Sequence, residues 1–251
     1  FLGKKFRFQE TSTDIKSLLN DSSNNVIVIA TQHDSHAKFV VEALKAGKNI
    51  FVEKPLCINF DELLEIETEY SKLSKDGNQP ILMVGFNRRF APQIQKIKSL
   101  LENVVAPKSF IMTVNAGQVP IESWMQDPKI GGGRIIGEAC HFIDLLRYLS
   151  GNPIKSWSCL KMDASTNDTV TITLKFEDGS IGTIHYYSNG YRSFPKERLE
   201  IFVQDRIIQL DNFRKLKAFG WPGFNKMNLW RQNKGQKACV KTFVKSIQEK
   251  E

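Results

Sequence analysis

Glu53-Lys54-Pro55 is the stretch with the plainest chemical potential. The strand formers of Asn49-Ile50-Phe51-Val52 run into it, and the proline stops the strand. In an open parallel α/β sheet, ligands bind beyond the carboxyl ends of the strands. A lysine there serves as a proton donor or holds an anion; a solvated strand-end lysine is the bland alternative. A second cluster, Glu138, Cys140, His141 and Asp144, follows Gly131-Gly132-Gly133. A histidine near its ordinary pKa is a natural acid/base, and Asp144 lies at i+3 on the same helix face. Burial at a domain junction, with backbone partners, is the alternative for His141. The third cluster is the polar turn Thr31-Gln32-His33-Asp34-Ser35-His36. No further ligand has suitable spacing to His33 and His36, so no metal site is expected.

These clusters need elements to position them. Val26-Ile27-Val28-Ile29-Ala30 is an apolar run without alternation, as expected for a parallel strand buried on both faces. A helix follows to about Ala46, capped by Asp34 or Ser35 and ended by Gly47. With the strand at 49–52 this makes a βαβ unit. Asn59 caps the next helix, with Glu62 placed for a capping box, and the helix runs to about Lys75 before Gly77 breaks it. Ile81 to Phe86 reads as another buried strand, and Phe6-Arg7-Phe8 as a short one. After Arg89 the pattern changes. Helices fit Ala91 to Leu101, Glu138 to Leu149 and Lys237 to Lys250. Strands fit 109–115, 154–162, 168–176, 180–188, 198–203 and 206–210. The alternation in Thr169-Val170-Thr171-Ile172-Thr173-Leu174 marks a sheet with one wet face.

The chain of 251 residues is long enough for two domains, divided near residue 87, and its 41% hydrophobic and 25% charged content is that of a globular protein. No apolar run approaches the ~20 residues a membrane-spanning helix needs. Cys57, Cys140, Cys159 and Cys239 form no C-x-x-C pair and read as free thiols of a reducing cytoplasm. The net charge of +8 is dispersed, without a nucleic-acid motif, and suits an anionic cofactor or substrate equally well.

Four stretches together carry a family resemblance: Val28-Ile29-Ala30-Thr31 with His36; Ala46-Gly47-Lys48-Asn49 through Glu53-Lys54-Pro55-Leu56; Val84-Gly85-Phe86-Asn87-Arg88-Arg89-Phe90; and Gly131-Gly132-Gly133 through His141-Phe142-Ile143-Asp144. In this order and spacing the chain resembles the glucose-fructose oxidoreductase / inositol dehydrogenase / MocA-like (Gfo/Idh/MocA) family over nearly its whole length. The resemblance implies an α/β protein. A Rossmann-like doubly wound parallel sheet (1–87) is followed by an α+β domain (88–251) whose large open, mostly antiparallel sheet often forms the oligomer interface. No G-x-G-x-x-G occurs anywhere in the chain, and no strand with a glycine turn precedes residue 26. An N-terminally truncated Rossmann unit is therefore expected, with the last helix also cut. The Gly-Glu-Ala-Cys-His variant resembles a branch fused behind a zinc-type alcohol dehydrogenase-like module.

The same resemblance implies NAD or NADP as cofactor and a sugar, cyclitol or related polyol as substrate. It makes Lys54 and His141 catalytic. It places Thr31, His33, His36, Glu53, Lys54, Pro55, Asn87 and Arg88 near the cofactor; His36 holds its loop, Pro55 is a candidate cis residue, and Arg88 could meet a phosphate or carboxylate. Trp124, Glu138, His141, Asp144, Tyr186 and Arg192 are the substrate candidates, since aromatic rings give sugars an apolar face; sheet packing is the alternative for the tyrosine. Many members carry an acid four places after the third glycine, where this chain has Gly137, so the usual lysine–aspartate–histidine trio is incomplete. The expected function is hydride transfer between a nicotinamide and a sugar, cyclitol or nucleotide-sugar hydroxyl. A redox-neutral lyase or glycosidase that recycles NAD, and a non-catalytic sensor or partner subunit, are the alternatives. A homo-oligomer without nucleic-acid or membrane partners is expected.

Overall fold

The computed structural model describes residues 2–75 and 79–250; Gly77, the expected helix breaker, lies outside them. Two short helices, α1 (Leu2–Phe6) and α2 (Ile15–Asn20), come first. The α1 helix ends at Phe6 and Arg7 takes a positive φ of 56°, so Phe6-Arg7-Phe8 is not the strand its composition suggests. The Asp14 carboxylate caps α2 by accepting from the backbone of Lys16 and Ser17.

Strands β1 (Val26–Ile29), β2 (Asn49–Val52) and β3 (Leu82–Val84) form a parallel sheet in that order. Helices α3 (His36–Lys45) and α4 (Phe60–Lys75) connect them. Gly47, at φ +67°, makes the left-handed turn that closes α3. Ile50 and Val52 face α3 and α4, whereas Phe51 points to the opposite face. There it meets Cys239, Phe243 and Ile247 of the last helix, α7 (Gln236–Gln248). That helix follows the second sheet in sequence yet returns to cover the first. The cluster it forms takes in β2, β3 and Val26 at the start of β1 but not Val28, which is 65% exposed on the edge strand. The expectation of burial on both faces therefore fails at Val28 of β1.

The second sheet has eight strands: β4 (Ser109–Asn115), β5 (Ile154–Lys161), β6 (Val170–Phe176), β7 (Ile181–Tyr187), β8 (Glu197–Val203), β9 (Arg206–Asp211), β10 (Lys215–Phe219) and β11 (Lys226–Asn228). Their spatial order is β11-β10-β9-β8-β4-β7-β6-β5. Only the β4–β7 pair is parallel. One face packs on helices α5 (Pro92–Leu101) and α6 (Cys140–Ser150), which carry Ile94, Ile97, Phe142, Leu145 and Leu149 into the core. The last two strands were not expected. Lys215-Leu216-Lys217-Ala218-Phe219 alternates with small and charged residues, and β11 has three residues only. No helix among the described residues is long and apolar enough to cross a membrane.

Candidate active site

The carboxyl ends of β1, β2 and β3 open toward the glycine-rich loop that precedes α6. Lys54 stands just past β2, and its Nζ donates to the Gly137 carbonyl at 2.7 Å. The Lys54–Pro55 peptide is cis. His36 is fully buried between two carbonyls, with Nδ1 at 2.7 Å from the Pro55 oxygen and Nε2 at 3.1 Å from that of Thr31. It thereby ties the turn after β1 to the turn after β2. The Thr31 hydroxyl pairs with Ser35 at 2.6 Å. Glu53 extends the ladder through its backbone N–H to the Ile29 carbonyl and stays exposed. The Asn87 side-chain amide donates to the Lys234 carbonyl at 2.7 Å.

Before α6 the chain makes a π-helical turn over Ile135–Ala139. Such wide turns recur at functional sites because they push a carbonyl or side chain out of helical register. Here the turn presents Gly137 and Glu138. The Glu138 carboxylate accepts from Lys196 at 2.5 Å, Arg134 at 3.1 Å and the Tyr186 hydroxyl at 2.5 Å. Burial pushes its pKa up, but these three partners outweigh it and hold the acid at about 2. Burial, then the Glu138 charge, pushes the Tyr186 phenol up.

A cavity of about 440 Å³ gathers His33, Lys54, Trp124, Glu138, His141 and Lys196, with Arg88 in its wall. Of the expected residues the structure thus brings together His33, Lys54, Arg88, Trp124, Glu138 and His141, adds Lys196, and leaves others out. Arg88 is not free for a phosphate: Nε and Nη2 lie 3.0 and 2.8 Å from the Glu197 carboxylate, and Lys234 joins the same acid at 2.7 Å. Asp144 pairs with the Arg89 guanidinium and does not line the cavity, although burial raises its pKa. The Tyr186 ring is fully buried and supports Glu138 instead of forming a sugar wall. Arg192 lies in a neighbouring groove, where it donates to the Gln118 carbonyl.

His141 corrects a further expectation. Its ring is buried, its Nδ1 has no hydrogen-bond partner, and its pKa falls to about 2. Burial is the main cause, followed by the positive charges of Arg88, Lys54, Lys234 and Lys196. A ring so hard to protonate is a poor proton store at neutral pH, yet it can still hydrogen-bond a hydroxyl. Arg134 and Lys196 were missed by sequence reasoning. Arg134 stands four residues before Glu138 on one helical face, a readable signal; Lys196 comes from beside β8 and left none. Among the described residues no cluster of histidine, cysteine or acidic side chains could hold a metal ion.

Two protein-family models match the chain. Residues 2–86 match the oxidoreductase family with NAD-binding Rossmann fold, and residues 95–209 match the GFO/IDH/MocA C-terminal domain. Over 220 residues the chain is 25% identical to a myo-inositol 2-dehydrogenase of Thermotoga maritima, covering 84% of this chain and 64% of that protein. Over 214 residues it is 30% identical to the uncharacterized oxidoreductase YrbE of Bacillus subtilis, covering 81% of this chain and 60% of that protein. The chain therefore spans less than two thirds of the length of these relatives. A solved levoglucosan dehydrogenase in complex with NADH and levoglucosan superposes with a TM-score of 0.84 at 24% identity, over 98% of this chain and 77% of that one, a likeness of fold.

Proposed function

The chain belongs to the Gfo/Idh/MocA oxidoreductase family, and on that premise we propose that it moves hydride between NAD or NADP and a hydroxyl of a sugar, cyclitol or nucleotide sugar. The observation that carries this reading is the convergence of Lys54 and His141 on one cavity at the carboxyl ends of a parallel sheet. The residues suit the nicotinamide end of the cofactor. His141 leaves a buried ring nitrogen unpaired beside the crevice, and Gly85 keeps the backbone bare where a Cβ would lie 3.1 Å from a Glu53 carboxylate oxygen. Thr31, His33, Glu53, Lys54, Pro55 and Asn87 are the residues that would border it.

Bound nicotinamide supplies the hydride acceptor or donor. The chain supplies the rest. Lys54 Nζ exchanges the Gly137 carbonyl for the substrate oxygen and stabilises negative charge there as the O–H bond breaks. Neutral His141 hydrogen-bonds the same hydroxyl and fixes its orientation. Trp124 offers an apolar ring to a sugar face, while Glu138, held ionised, accepts from a neighbouring hydroxyl. The four cysteines are free, which suits a reducing compartment such as the cytoplasm. Copies associate through the outer face of the large sheet.

Lys54→Met tests the reading. With NAD and NADP offered against a panel of polyols and nucleotide sugars, the substitution lowers kcat at least about 100-fold, the low end for loss of a positioned acid/base group. An unchanged rate removes Lys54 from the chemistry. Ligand binding without turnover by the full-length wild-type protein points instead to a sensor, the outcome that Gly137 motivates.

A further inference from the structure

We propose that His33 is a third catalytic residue of the cavity, whose Nε2 accepts the proton that leaves the substrate hydroxyl. The inference rests on the dehydrogenase reading above and adds to it the group that takes the proton. The substrate carbon gives up hydride to the nicotinamide. The O–H bonding pair becomes the second bond of the new carbonyl, and the proton passes to His33 Nε2 and then to solvent.

The geometry fixes this role through the ring's other nitrogen. His33 Nδ1 lies 2.8 Å from the Gly131 carbonyl oxygen. A carbonyl only accepts, so Nδ1 carries the hydrogen and Nε2 keeps its lone pair. Nε2 has no hydrogen-bond partner among the described residues, while the ring lines the cavity with Lys54 and His141. The ring is also held in place. Trp124 meets it edge to face at 4.9 Å between centroids, and the next residue, Asp34, donates its backbone N–H to the Ile130 carbonyl at 3.0 Å. The first sheet's turn is thus joined twice to the glycine loop.

Gly137 makes the room. A Cβ at that position would lie 2.9 Å from His33 Cε1 and 3.2 Å from Nδ1, so the histidine occupies the space a side chain at 137 would need. The cavity wall that lacks a side chain at 137 is therefore furnished from the opposite domain.

The other candidates are less suited to take a proton. Lys54 Nζ donates to Gly137, the Glu138 carboxylate is held by three donors, and His141 is pressed to about 2. Around His33 stand Lys54 from the β2 end, Asp34 and His36 on its own turn, and Glu138 and His141 across the cavity. Burial lowers its pKa, the Gly131 bond opposes this, and Lys54 lowers it further. The ring is neutral at pH 7 and able to accept.

Nitrogen-15 NMR of the histidine rings in the chain itself reads the tautomer, with His33→Asn identifying the signal. A neutral His33 protonated on Nδ1 at pH 7 is expected. Kinetics supply the second readout. Asparagine retains a side-chain N–H for the Gly131 carbonyl but is no base. His33→Asn should lower kcat about 100-fold with KM little changed, and should abolish the fall in rate that the wild type shows as pH drops through the His33 pKa. A ring protonated on Nε2 at pH 7 overturns the proposal. So does a His33→Asn variant that keeps the acidic limb, whatever its kcat, since a loop anchor alone would leave that limb in place. Absence of wild-type turnover across the panel by the full-length protein removes the dehydrogenase reading and this inference with it. Wild-type turnover with an unaltered His33→Asn profile removes the inference alone.

Discussion

At the scale of single residues, the cavity depends on what a missing side chain permits. Gly137 gives its carbonyl to Lys54 and its open side to His33. Gly137→Ala puts a methyl 2.9 Å from the His33 ring, closer than atoms rest in contact, so the ring must leave the Gly131 carbonyl or the π turn must shift. The expected result is a loss of about 1–3 kcal/mol by urea denaturation, the usual range for overpacking, together with a moved His33 imidazole signal. Unchanged stability and an unchanged signal would show that the close approach is not real. The chemistry of Lys54 was legible because a run of strand formers ending in a charge and a proline states where the lysine must stand. Its partner was not, because Gly137 is a backbone group 83 positions away. For the same reason the low pKa of His141 was hidden: it comes from burial and from cations on four separate segments.

At the scale of elements, one buried acid joins three segments that are distant in sequence. Glu197 begins β8, Arg88 sits in the short turn Asn87–Phe90 after β3, and Lys234 stands just before α7. Burial pushes the Glu197 pKa up, but Arg88 and Lys234 more than reverse it, so the acid is held below the ordinary carboxylate range. Arg88→Met leaves this buried carboxylate with one cation, and removing a partner from such a pair costs about 3–5 kcal/mol. Because the folded pKa is depressed, the stabilisation is fully present above the unfolded value of about 4.3 and fades as pH falls through the folded one. Denaturation at neutral pH should therefore separate wild type from Arg88→Met, and the two curves should converge only as pH falls through the depressed folded pKa of Glu197; a gap that persists in acid below it would assign the loss to packing against Phe142 instead. Sequence periodicity found the main helices and most strands, since burial on one face leaves its mark at each element. It read Arg88 as open to a ligand because the acid that occupies it lies 109 residues on. It missed β10 and β11 because β10 alternates around small and charged residues without a run of strand formers and β11 has three residues only.

At the scale of the whole molecule, the large sheet has helices on one face and, among the described residues, none on the other. Pairing register aligns Ile181, Ser109, Phe202, Ile207 and Phe219 across five neighbouring strands on that open face. Ile181 and Phe219 are 54% and 53% exposed, and Phe202 and Ile207 are 38% and 36% exposed. A largely apolar row of this kind, interrupted by Ser109, is uncommon on a monomer and supports the association proposed above. A second copy of the chain is the occupant that suits it, because the two-fold pairing of a sheet face with itself brings each apolar row against an identical one. The center of the row is Phe202, and a charge there would be desolvated without a partner. Light scattering of the wild type should give a multiple of the single-chain mass, and Phe202→Lys should give the single-chain mass with an unchanged far-ultraviolet spectrum. The substitution lies on the face opposite the core that carries α5 and α6, so turnover per chain should change little if the site is complete within one copy. A wild type that stays a single chain at about 100 μM, well above the micromolar dissociation constants of weak specific pairs, would show that this face is covered by something other than itself.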